Sequence, residues 1–144
     1  MDIKIKKFND KAILPTKAHK TDAGFDLYAC LDEDEKIYTR ETKLIPTGIA
    51  FEIPEGFFGG IYPRSGLATK QGLRLANCVG VIDSGYINQV FVPLYNDSFE
   101  FRTVKNGDRI AQIIFQPYLE VRLNEVNELE DTDRGLNGFG SIGR

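Results

Sequence analysis

A single histidine, His19, stands in the 144 residues. Metal sites of the HExxH type are therefore excluded, and a Ser-His-Asp triad has one candidate only. Between Lys17 and Lys20, His19 reads as a solvated loop residue rather than a catalyst. Cysteine is equally scarce. Cys30 and Cys78 lie far apart and form no CxxC pair, so they read as reduced, part-buried thiols rather than a disulfide or half a metal site. No apolar run approaches a membrane span. The opening MDIKIKKFND lacks the apolar block and cleavage site of a signal peptide, which leads us to expect a cytoplasmic chain, or one in a host cell's interior if viral. A formal net charge of −3 offers no basic face for a nucleic-acid polymer. It leaves room for a small anionic ligand bound by a few focused arginines. Any chemistry must rest on carboxylates, arginines, hydroxyls and a hard cation held by oxygen.

What is present is globular: 42% hydrophobic and 27% charged residues, in a length that makes one domain with a real core. The alternation Ile3 to Lys6 predicts an edge strand with one wet face. Ala23 to Ala29 predicts a second, in which Asp26 faces either solvent, the default, or something positive. Leu31 to Arg40 reads as an acidic loop entering a strand, and Lys43 to Pro54 as strand composition ending in a Pro54-Glu55-Gly56 turn. Phe57 to Tyr62 follows, with Gly59-Gly60 marking a bulge or a close backbone approach. Only Pro63 to Gly72 has helical character, with Pro63 and Ser65 suited to its start and Gly72 to its end. Backbone N–H groups there, beside Arg64, would attract an anion.

The most informative stretch runs from Asn77 to Asn96. It sets one carboxylate, Asp83, between the apolar run Val79 to Ile82 and a Ser84-Gly85 turn, with Tyr86 and a strand (Val90 to Tyr95) beyond. By composition alone this is a hairpin turn; in a cleft, it is a carboxylate held still by strands. Arg109 to Gln116 predicts an apolar strand carrying Gln112 as a buried amide that needs partners. Leu119 to Val126 alternates once more. Many short strands, frequent Gly and Pro and one short helix predict an all-β barrel or jelly roll. We expect residues 1–126 to form the core and 127–144 an arm. In that arm Arg134, Phe139 and Ser141 stand among Gly135, Gly138, Gly140 and Gly143, a composition in which amides wrap phosphate, arginine neutralises it and an aromatic stacks on a base.

Five segments, in order, resemble the motifs of the trimeric dUTPase family: AGFDLYA (23–29), PRSGLA (63–68), NCVGVIDSGY (77–86), GDRIAQ (107–112) and RGLNGFGS (134–141). The resemblance implies a β-jelly-roll homotrimer that hydrolyses dUTP to dUMP and pyrophosphate with Mg²⁺, each site assembled from three subunits and closed by the arm. It implies that Asp83 activates the attacking water and meets the 3′-hydroxyl, while Tyr86 underlies the deoxyribose. Asn77 and the backbone of Val81 and Ile82 would read uracil. Arg64, Ser65 and Gly66 would hold phosphates, Gln112 the α-phosphate region, and Asp26 Mg²⁺ through water. Arg134, Gly140 and Ser141 would clasp the γ-phosphate, with Phe139 over the base.

The chain departs from the family pattern at four places. Asn88 and Asn137 replace glycines, and asparagine is the residue that best tolerates positive φ after glycine, so we expect the backbone path to be kept. Gln89 replaces a common glutamate. Ile142 replaces a common threonine or serine, which removes a hydroxyl from the arm. The related dCTP deaminases share the fold but carry a glutamate where Pro93 stands here. A dUTP-binding regulator on the same fold is the other alternative; it would not need Asp83 as a base.

Overall fold

The computed structural model describes residues 1–143. Eleven strands and one helix run in the order β1 (Lys4–Lys7), β2 (Phe25–Tyr28), β3 (Glu35–Ile37), β4 (Thr42–Pro46), β5 (Ile49–Glu52), β6 (Phe57–Tyr62), α1 (Ser65–Gln71), β7 (Leu73–Leu75), β8 (Gly80–Ile82), β9 (Phe91–Asn96), β10 (Arg102–Val104) and β11 (Arg109–Pro117). All pairings are antiparallel, and they join strands distant in sequence: β2-β11-β6-β8, β4-β9-β7, β1-β5 and β10-β3. Short strands wrapped in several small sheets around one core make the expected all-β barrel of jelly-roll type. No helix among the described residues is long and apolar enough to cross a membrane.

The core follows from alternation. On β9, Val92, Leu94 and Asn96 are buried while the residues between them are not. They pack with Leu27, Ile37, Ile45, Ile49, Leu75, Ile110 and Ile113 into one cluster. Asn96 is the polar exception and is fully partnered: its amide donates to Ile37 O and Glu100 O, both at 2.8 Å, and its Oδ1 accepts from the Ser98 backbone N–H and hydroxyl. Every buried side-chain polar atom among the described residues has a partner, as a folded core requires.

Glycines act at two bends. Gly48 turns β4 into β5 at φ 69°, where a Cβ would stand 2.8 Å from both Ala12 Cβ and Cys30 Sγ. Gly59 and Gly60 mark a close approach and not a bulge, because β6 keeps unbroken register with β11 and β8. A Cβ at Gly60 would meet the Tyr62 ring at 2.7 Å.

Four expectations need correction. Leu119 to Val126 forms no strand; the alternation is real, but no strand of this chain lies beside it, and all eight residues are exposed. The Asp83 turn is not a hairpin, since β8 pairs with β6 whereas β9 pairs with β4 and β7. Cys78 is exposed, not part-buried, and takes φ 62°, while Cys30 is buried. Positive φ is not the reason for asparagine at 88 or 137, because among described non-glycine residues only Arg40 and Cys78 adopt it.

Candidate functional site

The strand register aligns three motif residues in a row. Gln112 on β11 faces Asp26 on β2 and Tyr62 on β6, so these side chains share one face of the sheet. Pro63 and Arg64 follow directly at the end of β6. Gln112 Nε2 donates to Pro63 O at 3.0 Å, which satisfies the half-buried amide. Arg64 is the N-cap residue of α1 but makes no side-chain cap bond. Its Nε instead meets Asp26 Oδ1 at 3.0 Å, and its Nη1 donates to Arg109 O at 3.4 Å.

Asp26 therefore does not face open solvent, the default expectation. Its side chain is only 18% exposed and is shared by two arginines, with Arg109 Nε 3.7 Å from Oδ2. Two guanidinium groups, one on each carboxylate oxygen, fix the side chain in place. Ser65 and Gly66 open α1 beside it. A Cβ on Gly66 would meet nothing within 4 Å, so no packing within the chain calls for glycine at a helical position that disfavours it by about 1 kcal/mol. These groups line an open cavity of about 590 Å³ with Gly24 and Lys70.

Arg109 escaped the sequence reading. Three residues from Gln112, it should point to the opposite face of a regular strand. A register shift between Arg109 and Ala111 puts it opposite Tyr28 instead, on the face of Asp26, and turns Ile110 into the core. Its guanidinium lies 6.0 Å from the Tyr28 ring centroid. Nothing in the spacing announces this bulge.

The other motif residues lie elsewhere. β8 pairs Ile82 with Gly59 and Gly80 with Ile61, so Asp83 leaves the sheet near the start of β6 and Arg64 near its end. Continued by one residue, that register sets Asp83 level with Phe58, four residues or roughly 13 Å before the end of β6 at Tyr62. The Asp83 carboxylate is exposed and, among the described residues, has neither a salt bridge nor a side-chain hydrogen bond. The backbone of the turn closes by Tyr86 N to Asp83 O at 3.0 Å, and the Tyr86 hydroxyl donates to Gln89 O at 2.8 Å. That second bond uses a main-chain acceptor, so it is indifferent to glutamine at 89. Asn88 Oδ1 accepts the Gln89 N–H at 2.7 Å, a local bond that glycine could not make. Asn77 packs beside Gly80, its Nδ2 3.4 Å from where a Cβ would sit, and Val81 is exposed on β8.

A third group stands apart again. From 119 to 143 every residue is exposed. Beyond Tyr118 N to Gly56 O at 3.0 Å, the backbone bonds here are local turns, such as Gly135 N to Thr132 O and Ser141 N to Gly138 O. Arg134 Nε donates to Asn137 O at 2.9 Å, and the Phe139 ring is wholly exposed.

As to a metal, no cluster of three His, Cys, Asp or Glu exists among the described residues. With one carboxylate already shared by two arginines, the chain fits a hard cation only if phosphate oxygens and water supply most of its ligands.

Taken together, these elements define a jelly-roll β protein with an arginine-carboxylate cavity and an exposed glycine-rich end. The dUTPase family pattern matches residues 10–143. The deoxyuridine 5′-triphosphate nucleotidohydrolase of Nautilia profundicola is 46% identical over all of both chains, and that of Clostridium kluyveri 43% over 99% of each. Among solved structures, the Staphylococcus bacteriophage 80alpha dUTPase with dUpNHpp superposes with a TM-score of 0.86 at 29% identity, covering 99% of each chain. A mutant dUTPase from phage phi11 of S. aureus, described with a structural Mg(II) ion, gives 0.82 at 25% identity over 91% of this chain and 100% of that one. The chain belongs to the dUTPase family.

Proposed function

We propose that this chain hydrolyses dUTP to dUMP and pyrophosphate, limiting uracil incorporation into DNA and supplying dUMP for thymidylate synthesis. The observation that carries the reading is the Asp26, Arg64 and Gln112 cluster, set at the opposite end of the sheet from an unpartnered Asp83. Asp83 orients and deprotonates the water that attacks the α-phosphorus; the electron pair of the broken P–O bond leaves with pyrophosphate. Gln112 holds the water and the α-phosphate region. Arg64, Ser65 and Gly66 bind the phosphates, and the bare Cα of Gly66 lets an oxygen approach the backbone. Asn77 and the main chain of Val81 and Ile82 read the uracil edge, so cytosine would leave buried polar groups unpaired. Tyr86, braced by its bond to Gln89 O, leaves no room for a 2′-hydroxyl. Arg134, Gly140 and Ser141 clasp the γ-phosphate while Phe139 stacks on the base. Asp26 would hold Mg²⁺ through water; bound with the triphosphate, the ion supplies neutralisation of phosphate charge.

Because Asp83 and Arg64 of one chain leave opposite ends of a sheet, a complete site draws them from different copies. A homotrimer is the assembly we propose, with residues 1–126 as core and 127–144 as an arm closing a site on another subunit. The exposed, alternating Leu119, Val121 and Leu123 agree with a segment whose partner is another chain. The reaction is placed in the cytoplasm, or in a host cell's interior.

The test is pyrophosphate release from dUTP, dTTP, dCTP and UTP with Mg²⁺, for the wild type and Asp83→Asn. Release from dUTP alone is expected, with turnover falling by about 10²- to 10⁴-fold in the variant. Tight dUTP binding without turnover would sink the enzyme reading. It would favour a dUTP-sensing regulator, a reading supported by phage dUTPase structures, 27% identical to this chain, that are described as controlling transfer of virulence genes.

A further inference from the structure

We infer that Gly24 is a positioning residue for the Gln112 carboxamide, a role that rests on the proposed part of Gln112 in turnover. Gly24 lies immediately before β2, outside the positive-φ glycines of the chain. Any residue could adopt its backbone conformation, so conformational freedom does not explain it. Space does. A Cβ at this position would stand 2.5 Å from Gln112 Oε1, 3.3 Å from its Cβ and 3.3 Å from its Cδ. Its three nearest heavy atoms are thus all from one side chain, which lies flat on the glycine.

That side chain is held on its other side by the bond from Nε2 to Pro63 O at 3.0 Å. Gly24 next to Oε1 and the Pro63 carbonyl bonded to Nε2 together hold the carboxamide in the cavity it lines with Asp26 and Arg64. The atom that an added methyl would strike first is the free end of a flexible side chain, so the protein can relieve the clash by swinging the carboxamide away. Relief of this kind costs little in folding and much in placement. An alanine at 24 should therefore leave a folded enzyme whose glutamine points wrongly.

The experiment is a double-mutant cycle of Gly24→Ala and Gln112→Ala, read by turnover of dUTP, by thermal melting and by the side-chain amide resonances of Gln112 in ¹⁵N-glutamine-labelled protein. Gly24→Ala alone should lower kcat at least tenfold and shift the Gln112 amide resonances. In the Gln112→Ala background, where the struck carboxamide is gone, the same change should alter kcat less than twofold. Additive effects, full activity of Gly24→Ala, or unshifted resonances would overturn the inference. Should Gly24→Ala fail to fold, melting of the double variant decides: a folded double variant supports the steric coupling, and an unfolded one shows that the glycine serves the backbone. Should Gln112→Ala keep wild-type turnover, the proposed role of Gln112 falls. The resonances then judge the placement by Gly24 independently.

Discussion

The two ends of the β2-β11-β6-β8 sheet differ in how far each is finished by its own chain. At one end, Asp26 holds Arg64 and Arg109, Gln112 bonds Pro63 O, and Gly24 receives the carboxamide. At the other, Asp83 is exposed and its carboxylate bonds nothing among the described residues. A polar cluster that satisfies itself is pre-organised and keeps its geometry without ligand. A bare carboxylate on a tight turn is held only by its backbone, and its chemistry waits for whatever is brought to it. The contrast teaches that one end of the sheet is finished within the chain and the other is left open, as the proposed pairing of sites between copies requires.

The most severe way to break that comparison is complementation. Chains carrying Asp83→Asn and chains carrying Arg64→Ala, each expected to be nearly inactive, would be co-expressed with different tags and the mixed trimers purified on both. If each site pairs Asp83 of one copy with Arg64 of the next, about one site in three of every mixed trimer has both intact. Activity should return to roughly a third of the wild-type value. If both residues of one chain served the same site, the mixture would remain inactive.

A large but lesser effect is expected at the chain's end. Removing residues 127–144 deletes Arg134, Phe139 and Ser141 but, among the described residues, no hydrogen bond to the barrel. Hydrolysis of dUTP, as kcat/KM, should fall by about 10²-fold or more, while the melting temperature stays put. A truncated protein that melts lower would show that the arm is part of the fold rather than a closing device. In the intact protein, amides from about Glu130 onward should gain exchange protection when a non-hydrolysable dUTP analogue binds.

The sequence disclosed these elements unevenly, for physical reasons. Strand existence was legible because burial of one face imposes period-two patterning, as along β9. The helix was legible from its ends, Pro63 and Ser65 at the start and Gly72, left-handed at φ 69°, at the close. Motif residues were legible as types in order, but their grouping was not, because register and bulges are tertiary facts. One register shift moved Arg109 beside Asp26, adding to the Arg64 contact that already made a solvent reading of Asp26 wrong. The same limit applied to Leu119 to Val126. Alternation records that a segment can be a strand, and only a neighbouring strand makes it one. Asn88 and Asn137 illustrate a different gap, since a plausible conformational reason for each proved unnecessary once φ was known.

A smaller effect sharpens the arm's side of the comparison. Ile142 is exposed, at a position where the family resemblance leads us to expect a hydroxyl. Ile142→Thr should restore one hydrogen bond to the phosphate end of dUTP, about 0.5 to 1.5 kcal/mol, and so lower KM by roughly two- to thirteenfold with kcat nearly constant. Equal KM values would show that the arm's grip does not pass through this position.

The smallest effect lies within the ordered barrel. Lys11 Nζ meets Asp32 Oδ1 at 2.7 Å, with both side chains largely in water. The shared hydrogen bond, followed by their opposite charges, raises the lysine above its ordinary pKa and lowers the carboxyl below its own. The depressed carboxyl contributes stability above the unfolded carboxylate range, and this is lost as pH falls through the folded value. The raised lysine contributes below the unfolded lysine range, and this is lost as pH rises through its folded value. The pair therefore acts only between those limits and, being solvated, only weakly. Lys11→Ala should lower the melting temperature near neutral pH by an amount close to calorimetric error, and by nothing in acid below the carboxylate range. A loss that persisted in acid would mean that the lysine stem packs on the barrel, and that even this contact belongs to the self-sufficient part of the molecule rather than to its charge.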